Sequence, residues 1–576
     1  MKHFRALRTQ LTPLALFGLV AATPAAAEET KSVTFTEDVA PIFFNNCVSC
    51  HRPNDAAPMS LLSYGEARPW AKSIRRAVTE REMPPWDADA DHGVFSNDIS
   101  LSDAEIATIQ AWVDQGAPQG DPNKMPEPPQ MAEAGSWKMG EEPDYVIELA
   151  PVEVPEGGPD LFITQVYAME VPEGKWVRAV ELLPGNTEVL HHVVTYFGPF
   201  GMSDDDDDSN AGVNKLVYLN EAAKRKTRMG EAPRFGGVWV AGSPPSKFPE
   251  GSGKTVEPKQ MLSFNMHYHP SGNAGTDVSR VGLYFGEGEL EKEITTAFAA
   301  DPGMFIPAGA ADHHEQAVYV FSQDSKVLSF LPHMHQRGKS MVYTIQRPDS
   351  DEKEILLSVP EYDYDWQNIY ELAEPIAAPA GSVLTVDAWW DNSAENAANP
   401  DASIDVPWGD GTNNEMLVAF FDFVVDEGVK VKPVRTRDTV DTLLALHDPK
   451  EGYAISIDGM GFGQVWGLVL PEEENAEGNF YVTFSTLILD ASIPKIERVG
   501  DDFVFTAEMI TSAGGTRTPM GFIAKRNDDG VEGEIFFGQR ISSSNVDTMR
   551  GKGRKFSGPS LANAMTEQAS AGAGGR

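Results

Sequence analysis

The sequence predicts a multidomain chain in which an α-helical N-terminal domain precedes all-β antiparallel sandwiches and a C-terminal β-rich domain. Three observations carry this. A helical pattern with start and stop signals runs within residues 32–121. The Pro-rich segment DPNKMPEPPQMAEAGS then breaks all periodicity, as a linker does. Beyond it come short β-branched and aromatic runs punctuated by Gly, Pro and Asn, including VLHHVVTYF, KVLSFLPHMH and SVLTVDAWW.

Taken in order, residues 1–27 have a basic start, an apolar run and a small-residue site near Ala27, the pattern of an export signal. No later segment approaches the roughly 20 apolar residues of a membrane span, so the expectation is a periplasmic or secreted protein with no membrane span. Residues 28–121 form the helical domain. Ser102 and Glu105 make a capping box, Ile106, Ile109, Trp112 and Val113 share a face, and Gly116 stops the helix. A linker is expected over 122–144. The run DDDDD at 204–208 reads as a solvated loop. Residues 430–557 alternate enough for a small sheet or barrel with NDDG as a hairpin turn, and 558–576 read as a disordered tail.

Charge narrows the partners. The 576 residues carry 46 basic and 86 acidic side chains, a formal charge of −40, which removal of Lys2, Arg5 and Arg8 with the signal deepens. Nucleic acid and anionic membrane surfaces are excluded as partners on that balance.

The only two cysteines of the chain stand in Cys47-Val48-Ser49-Cys50-His51. They are too close for a useful disulfide. With a His directly after Cys50, the spacing is that of covalent haem c attachment, against a redox or zinc CxxC: each thiol bonds a vinyl group, and His51 falls beneath the iron. A candidate sixth iron ligand is Met83, in REMPPW, held at a turn that two prolines impose. Met59 and His92 are its rivals.

Of the twelve histidines, ten lie outside the signal and the haem motif, and eight of these fall in four pairs. Positions i and i+2 on a strand face one way, so His333 and His335 can chelate one ion. Neighbours point to opposite faces, so His191 and His192 share a metal only where the strand is twisted or bulged. Such clusters serve zinc as well as copper.

Four words in fixed order, TEVLHHVVTYF, LSFNMHYHPSG, LPHMHQRGKSM and GTNNEMLVAFFDF, resemble the copper type II, ascorbate-dependent monooxygenases. That is the family of peptidylglycine α-hydroxylating monooxygenase and dopamine β-monooxygenase. The segment from CVSCHRPND to MPPW looks like the cytochrome c modules fused to bacterial members. The resemblance implies a cytochrome c-like domain over 28–121 with Met83 as the favoured ligand, and two jelly-roll-like copper sandwiches, 145–290 and 291–429. It also implies two coppers per chain beside one haem. His191, His192 and His267 would hold the first copper, with His269 as the alternative to His267. His333, His335 and Met416 would hold the oxygen-binding copper, where a thioether suits Cu(I). His313 and His314 match no ligand word and read as a surface or loop pair.

The implied activity is a monooxygenase taking O₂, a small organic substrate and electrons from a periplasmic donor, relayed by the haem. The alternative is a non-catalytic electron-transfer or copper-handling protein. Two departures stand out. Where peptide-amidating members place an arginine and a tyrosine against the substrate carboxylate, this chain has Leu331 and Phe420.

Overall fold

A computed structural model describes residues 32–431 apart from short interruptions, the longest being 199–211 and 224–233, and, beyond 431, strands between residues 451 and 555. The export signal, the acidic run at 204–208 and the tail after 557 lie outside the described residues.

The N-terminal region has the local signals that its sequence advertises. Ser102 accepts from the Glu105 N–H while the Glu105 side chain accepts from the Ser102 N–H, closing the capping box that starts helix Asp103–Asp114. A cap of this kind stabilises a helix by about 1 kcal/mol. Ile106, Ile109 and Trp112 are its buried face, and Gly116, at φ +88°, ends it. Helices Ala40–Asn46 and Ala71–Thr79 pack with it around Phe35, Phe43 and Trp112, whose rings meet edge-on or tilted.

The rest is β. One five-stranded sheet runs Gly212–Tyr218, Asp160–Glu170, Lys259–Tyr268, Leu190–Phe197, Arg234–Val240. Opposed to it in the same apolar cluster are strands such as Trp176–Leu183 and Arg280–Phe285 of a six-stranded sheet. A second cluster joins the four-stranded sheet containing Gly338–Gln346 and Val383–Trp390 to the sheet that holds Ser325–His333 and Val418–Val425.

The expected fold class, an α-helical cytochrome c domain followed by two all-β sandwich copper domains and a C-terminal β-rich domain, is corrected here. The chain is mostly β, 40% strand against 13% helix, with its sheets in a four-blade, propeller-like arrangement and only short helices. The physical reason is sheet continuity. Strand Thr295–Ala300 pairs antiparallel with Val418–Val425 on one side and parallel with Leu487–Ile493 on the other, so one sheet of thirteen strands runs on into the C-terminal region. Alternating runs signal strands; which sheet edge each strand joins depends on long-range pairing. Strands Arg517–Asn527 and Gly530–Phe537 pair antiparallel, with Asn527 opposite Gly530.

The helical region is also stitched to the β body. Phe95 bridges Leu372 and lies in the core of residues 297–425. Trp86 packs on Tyr370 at 4.9 Å, and Asn97 exchanges hydrogen bonds with Ile369 and Glu371. Each aromatic pair contributes about 1 kcal/mol beyond its buried area.

Candidate functional site

The first histidine group forms where strands Leu190–Phe197 and Lys259–Tyr268 pair. His267 stands opposite His192, and the register then slips so that Tyr268 faces Leu190. That irregularity leaves His191 as the extra residue and brings both neighbours toward His267. One ligand atom from each of His191, His192 and His267 lies within 4.8 Å of the others. Nδ1 of His191 and of His192 are 3.0 Å apart.

Asp160 and Phe162, on the adjacent strand, orient His267. Its Nε2 is 2.9 Å from Asp160 Oδ2, and Phe162 stacks on the ring at 4.4 Å. The Nδ1 of His267 is buried with no hydrogen-bond partner. An orphaned imidazole nitrogen facing two others is the donor set a metal ion satisfies. Burial opposes the Asp160 charge, but hydrogen bonds from His267, Thr412 and His269 outweigh it and hold the carboxyl below the usual range. Burial and the neighbouring His267 lower His191 to about 3 and push His192 well down, so both rings are neutral, the form that ligates metal. His269 is exposed and bonds Asp160 Oδ1 instead.

The second group ends strand Ser325–His333. Met334 is buried in the core while His333 and His335 turn the other way, their ring centroids 5.2 Å apart. Nδ1 of His333 lies 2.7 Å from Gln367 Oε1, and Nδ1 of His335 lies 3.0 Å from the Asn414 carbonyl. Both Nδ1 atoms therefore carry hydrogen and both Nε2 atoms are left for a ligand. Burial, then His333, lowers His335 to about 3, and burial lowers His333.

Met416, half-buried, follows Glu415, whose carboxylate ties its loop to the histidines. Glu415 accepts from the backbone N–H of His335 at 2.8 Å and of Arg337 at 2.6 Å, and from the Trp390 indole at 3.1 Å. Burial pushes Glu415 up to about 7 against the pull of these donors. The Arg337 guanidinium is buried beside it and donates to Asn392 and Asn413.

The two groups meet. Tyr364 stacks on His191 at 5.3 Å and presents an edge to His335 at 6.1 Å. Thr412 donates to Asp160 at 2.7 Å, clasping the Met416 side of the site to the carboxylate that orients His267.

Residues 47–51 follow helix Ala40–Asn46 as a turn. Cys50 N–H and His51 N–H both donate to the Cys47 carbonyl, which closes the turn, and neither cysteine is in a disulfide. His51 Nδ1 is 3.3 Å from the Met59 carbonyl, so Nδ1 carries hydrogen and Nε2 is the nitrogen with ligand character. Burial beside Cys50 pushes the Cys47 thiol up to about 12, the protonated form that adds to a vinyl group. Met83 follows helix Ala71–Thr79 at the turn, its N–H donating to Ala77, whereas its rival Met59 packs against the helical core. His92 lies in a turn, donating to Asp89. His313 and His314 begin a strand at the surface, paired with Glu315 and Asp387.

Neither known protein-family models nor curated proteins give a match to this chain.

Asp160, Tyr364, Gln367, Thr412 and Glu415 were missed in the sequence. Glu415 alone had a signal, its place beside Met416 in GTNNEM.

Beyond His333 the same strand face continues into a cavity of about 970 Å³. Leu331, two residues before His333, lines it and pairs with Phe420 across the sheet.

Proposed function

We propose that this chain is an exported, haem-bearing copper monooxygenase that uses O₂ and electrons from a periplasmic donor to hydroxylate a C–H bond of a small organic substrate. One observation carries the reading: two groups of imidazoles, His191/His192/His267 and His333/His335, converge on Tyr364 with unpaired ring nitrogens or hydrogen-bonded Nδ1 atoms that free their partners. Copper bound there supplies redox chemistry with O₂, and haem c bound at the N-terminal motif supplies electrons.

The residues have separable tasks. His191, His192 and His267 hold the first copper, and Asp160 aims His267 by taking its Nε2. His333, His335 and Met416 hold the second; Gln367 and Asn414 fix the two tautomers, and Glu415 holds the loop of Met416 against His335. Cys47 and Cys50 attach the haem, with His51 and Met83 as axial ligands. Leu331 and Phe420 present apolar surface to the substrate one strand step from His333, a distance of roughly 7 Å.

The test is oxygen uptake by the copper-loaded, reduced protein across a substrate panel, with bound metals counted. Uptake that depends on one substrate class supports the reading. Two bound coppers with no substrate-dependent uptake replace it with the copper-handling alternative, and zinc without a Cu(II) signal replaces both.

A further inference from the structure

The cavity of about 970 Å³ lies between strand Arg234–Val240 and the paired strands Ser325–His333 and Val418–Val425. Its apolar wall is aromatic. The Phe420 ring is flanked by Phe235 at 5.3 Å and Phe298 at 5.4 Å. Set into this wall is one buried ammonium. Lys254 is only 3% exposed; its Nζ donates to Thr296 Oγ1 at 2.8 Å, lies 3.9 Å from Asp422 Oδ1, and sits 5.5 Å from the centre of the Phe248 ring. Thr296 in turn bonds Asp422.

A buried ammonium has three N–H donors, and among the described residues Thr296 and Asp422 engage at most two. An oxygen acceptor reaching the cavity wall gains the third. The charge beside it is already matched: Asp422 neutralises Lys254, and Glu293 likewise pairs with Arg234. An anion placed here would add an unpaired negative charge beside Asp422 and Glu371 and beneath the exposed rim acids Glu250, Glu287, Glu289 and Glu291, which outnumber the lining cations Arg178 and Lys247. A cation would be buried against the ammonium itself. Either leaves its desolvation uncompensated.

We infer that this cavity binds an uncharged, largely aromatic small molecule carrying a hydroxyl or carbonyl oxygen, the oxygen taking an N–H of Lys254 and the rings lying on Phe420 and Phe235. The volume has room for a ligand of two or three rings. Binding stands on the cavity alone; only the fate of the bound molecule rests on the monooxygenase reading, since Leu331 connects the cavity to His333.

The test is calorimetric titration of the full-length, copper-free protein with para-phenylphenol, against para-phenylbenzoate and para-phenylbenzylamine, which keep the rings and change only the charge. The phenol binds at least about tenfold tighter than either ion. Lys254→Met weakens the phenol by about tenfold and removes the discrimination. Should the lone Asp422 then unfold the protein, Lys254→Met with Asp422→Asn carries the same test. Leu331→Trp crowds the wall beside Phe420 and weakens binding of the phenol in a folded protein. Equal or tighter binding of either ion, no binding of the phenol, or an unchanged phenol affinity in both Lys254 variants overturns the inference. Phenol binding without oxygen uptake overturns the monooxygenase reading and leaves this one standing; uptake with another substrate class and no phenol binding does the reverse.

Discussion

Gln367 Oε1 lies 2.7 Å from Nδ1 of His333, and the same side chain's amide nitrogen donates to the Tyr364 carbonyl at 3.3 Å. The amide is thus held at both ends, and it can only accept from the histidine. This one contact decides which nitrogen His333 offers.

Gln367→Leu should therefore weaken copper at the His333 group by about 10- to 100-fold while leaving the His191 group unchanged. Stepwise copper titration against a competing chelator, followed by the Cu(II) spectrum, separates the two. A uniform loss at both groups would mean that Gln367 merely supports the fold.

Removal of the thioether tests the other side of the same group. Met416→Ala should retain the first copper and lower substrate-dependent oxygen consumption by at least about 100-fold, because only the second group loses its soft ligand. Metal counting beside the activity measurement gives the answer, and equal loss of both coppers refutes the division into two groups.

Covalent haem should survive denaturation, since thioether bonds at Cys47 and Cys50 do not depend on folding. Met83→Ala should lose the methionine-to-iron absorption band. If that band persists, the ligand is Met59.

Asp87 gives a pH dependence. Burial, then the charges of Asp363 and Glu361, raise its carboxyl from 3.8 to about 7. Its contribution to stability is thus fully present below the unfolded value of 3.8 and is lost as pH rises through about 7. Thermal melts should show Asp87→Asn matching the parent at about pH 4 and exceeding it by about 2 °C at about pH 8. Parallel curves across that range would count against a neutral buried Asp87.

Glycine-extended peptides should neither be turned over nor inhibit oxygen uptake. Leu331 and Phe420 offer their carboxylate no donor, and Lys254, the one buried cation lining the cavity among the described residues, is already matched by Asp422. Micromolar binding of such a peptide, measured by competition, would falsify this.

The ligand candidates were legible because histidines are scarce here and come in pairs, and because a strand's period places His333 and His335 on one side. What orients them was not. Asp160 reaches His267 across 107 positions of sequence, and Tyr364, Gln367 and Thr412 arrive from loops of ordinary composition. The fold class misled for a related reason. Nothing local states that strand Thr295–Ala300 takes Leu487–Ile493 as its second neighbour, joined in parallel. The helix at Asp103–Asp114 was readable because caps are local.

The stitching of residues 86–97 to the sheet edge at 369–373 bears on kinetics. Val94 accepts from Ala373, Ser96 donates to Glu371, and the Pro85 carbonyl accepts from Asn368, the neighbour of Gln367. A group carried on the helices between Phe35 and Asp114 is thereby held beside the His333 loop without any encounter. Electron delivery inside such a chain is first-order, so its rate stays the same on dilution of the protein and does not fall with added salt, whereas supply by a separate soluble reductant scales with that reductant's concentration.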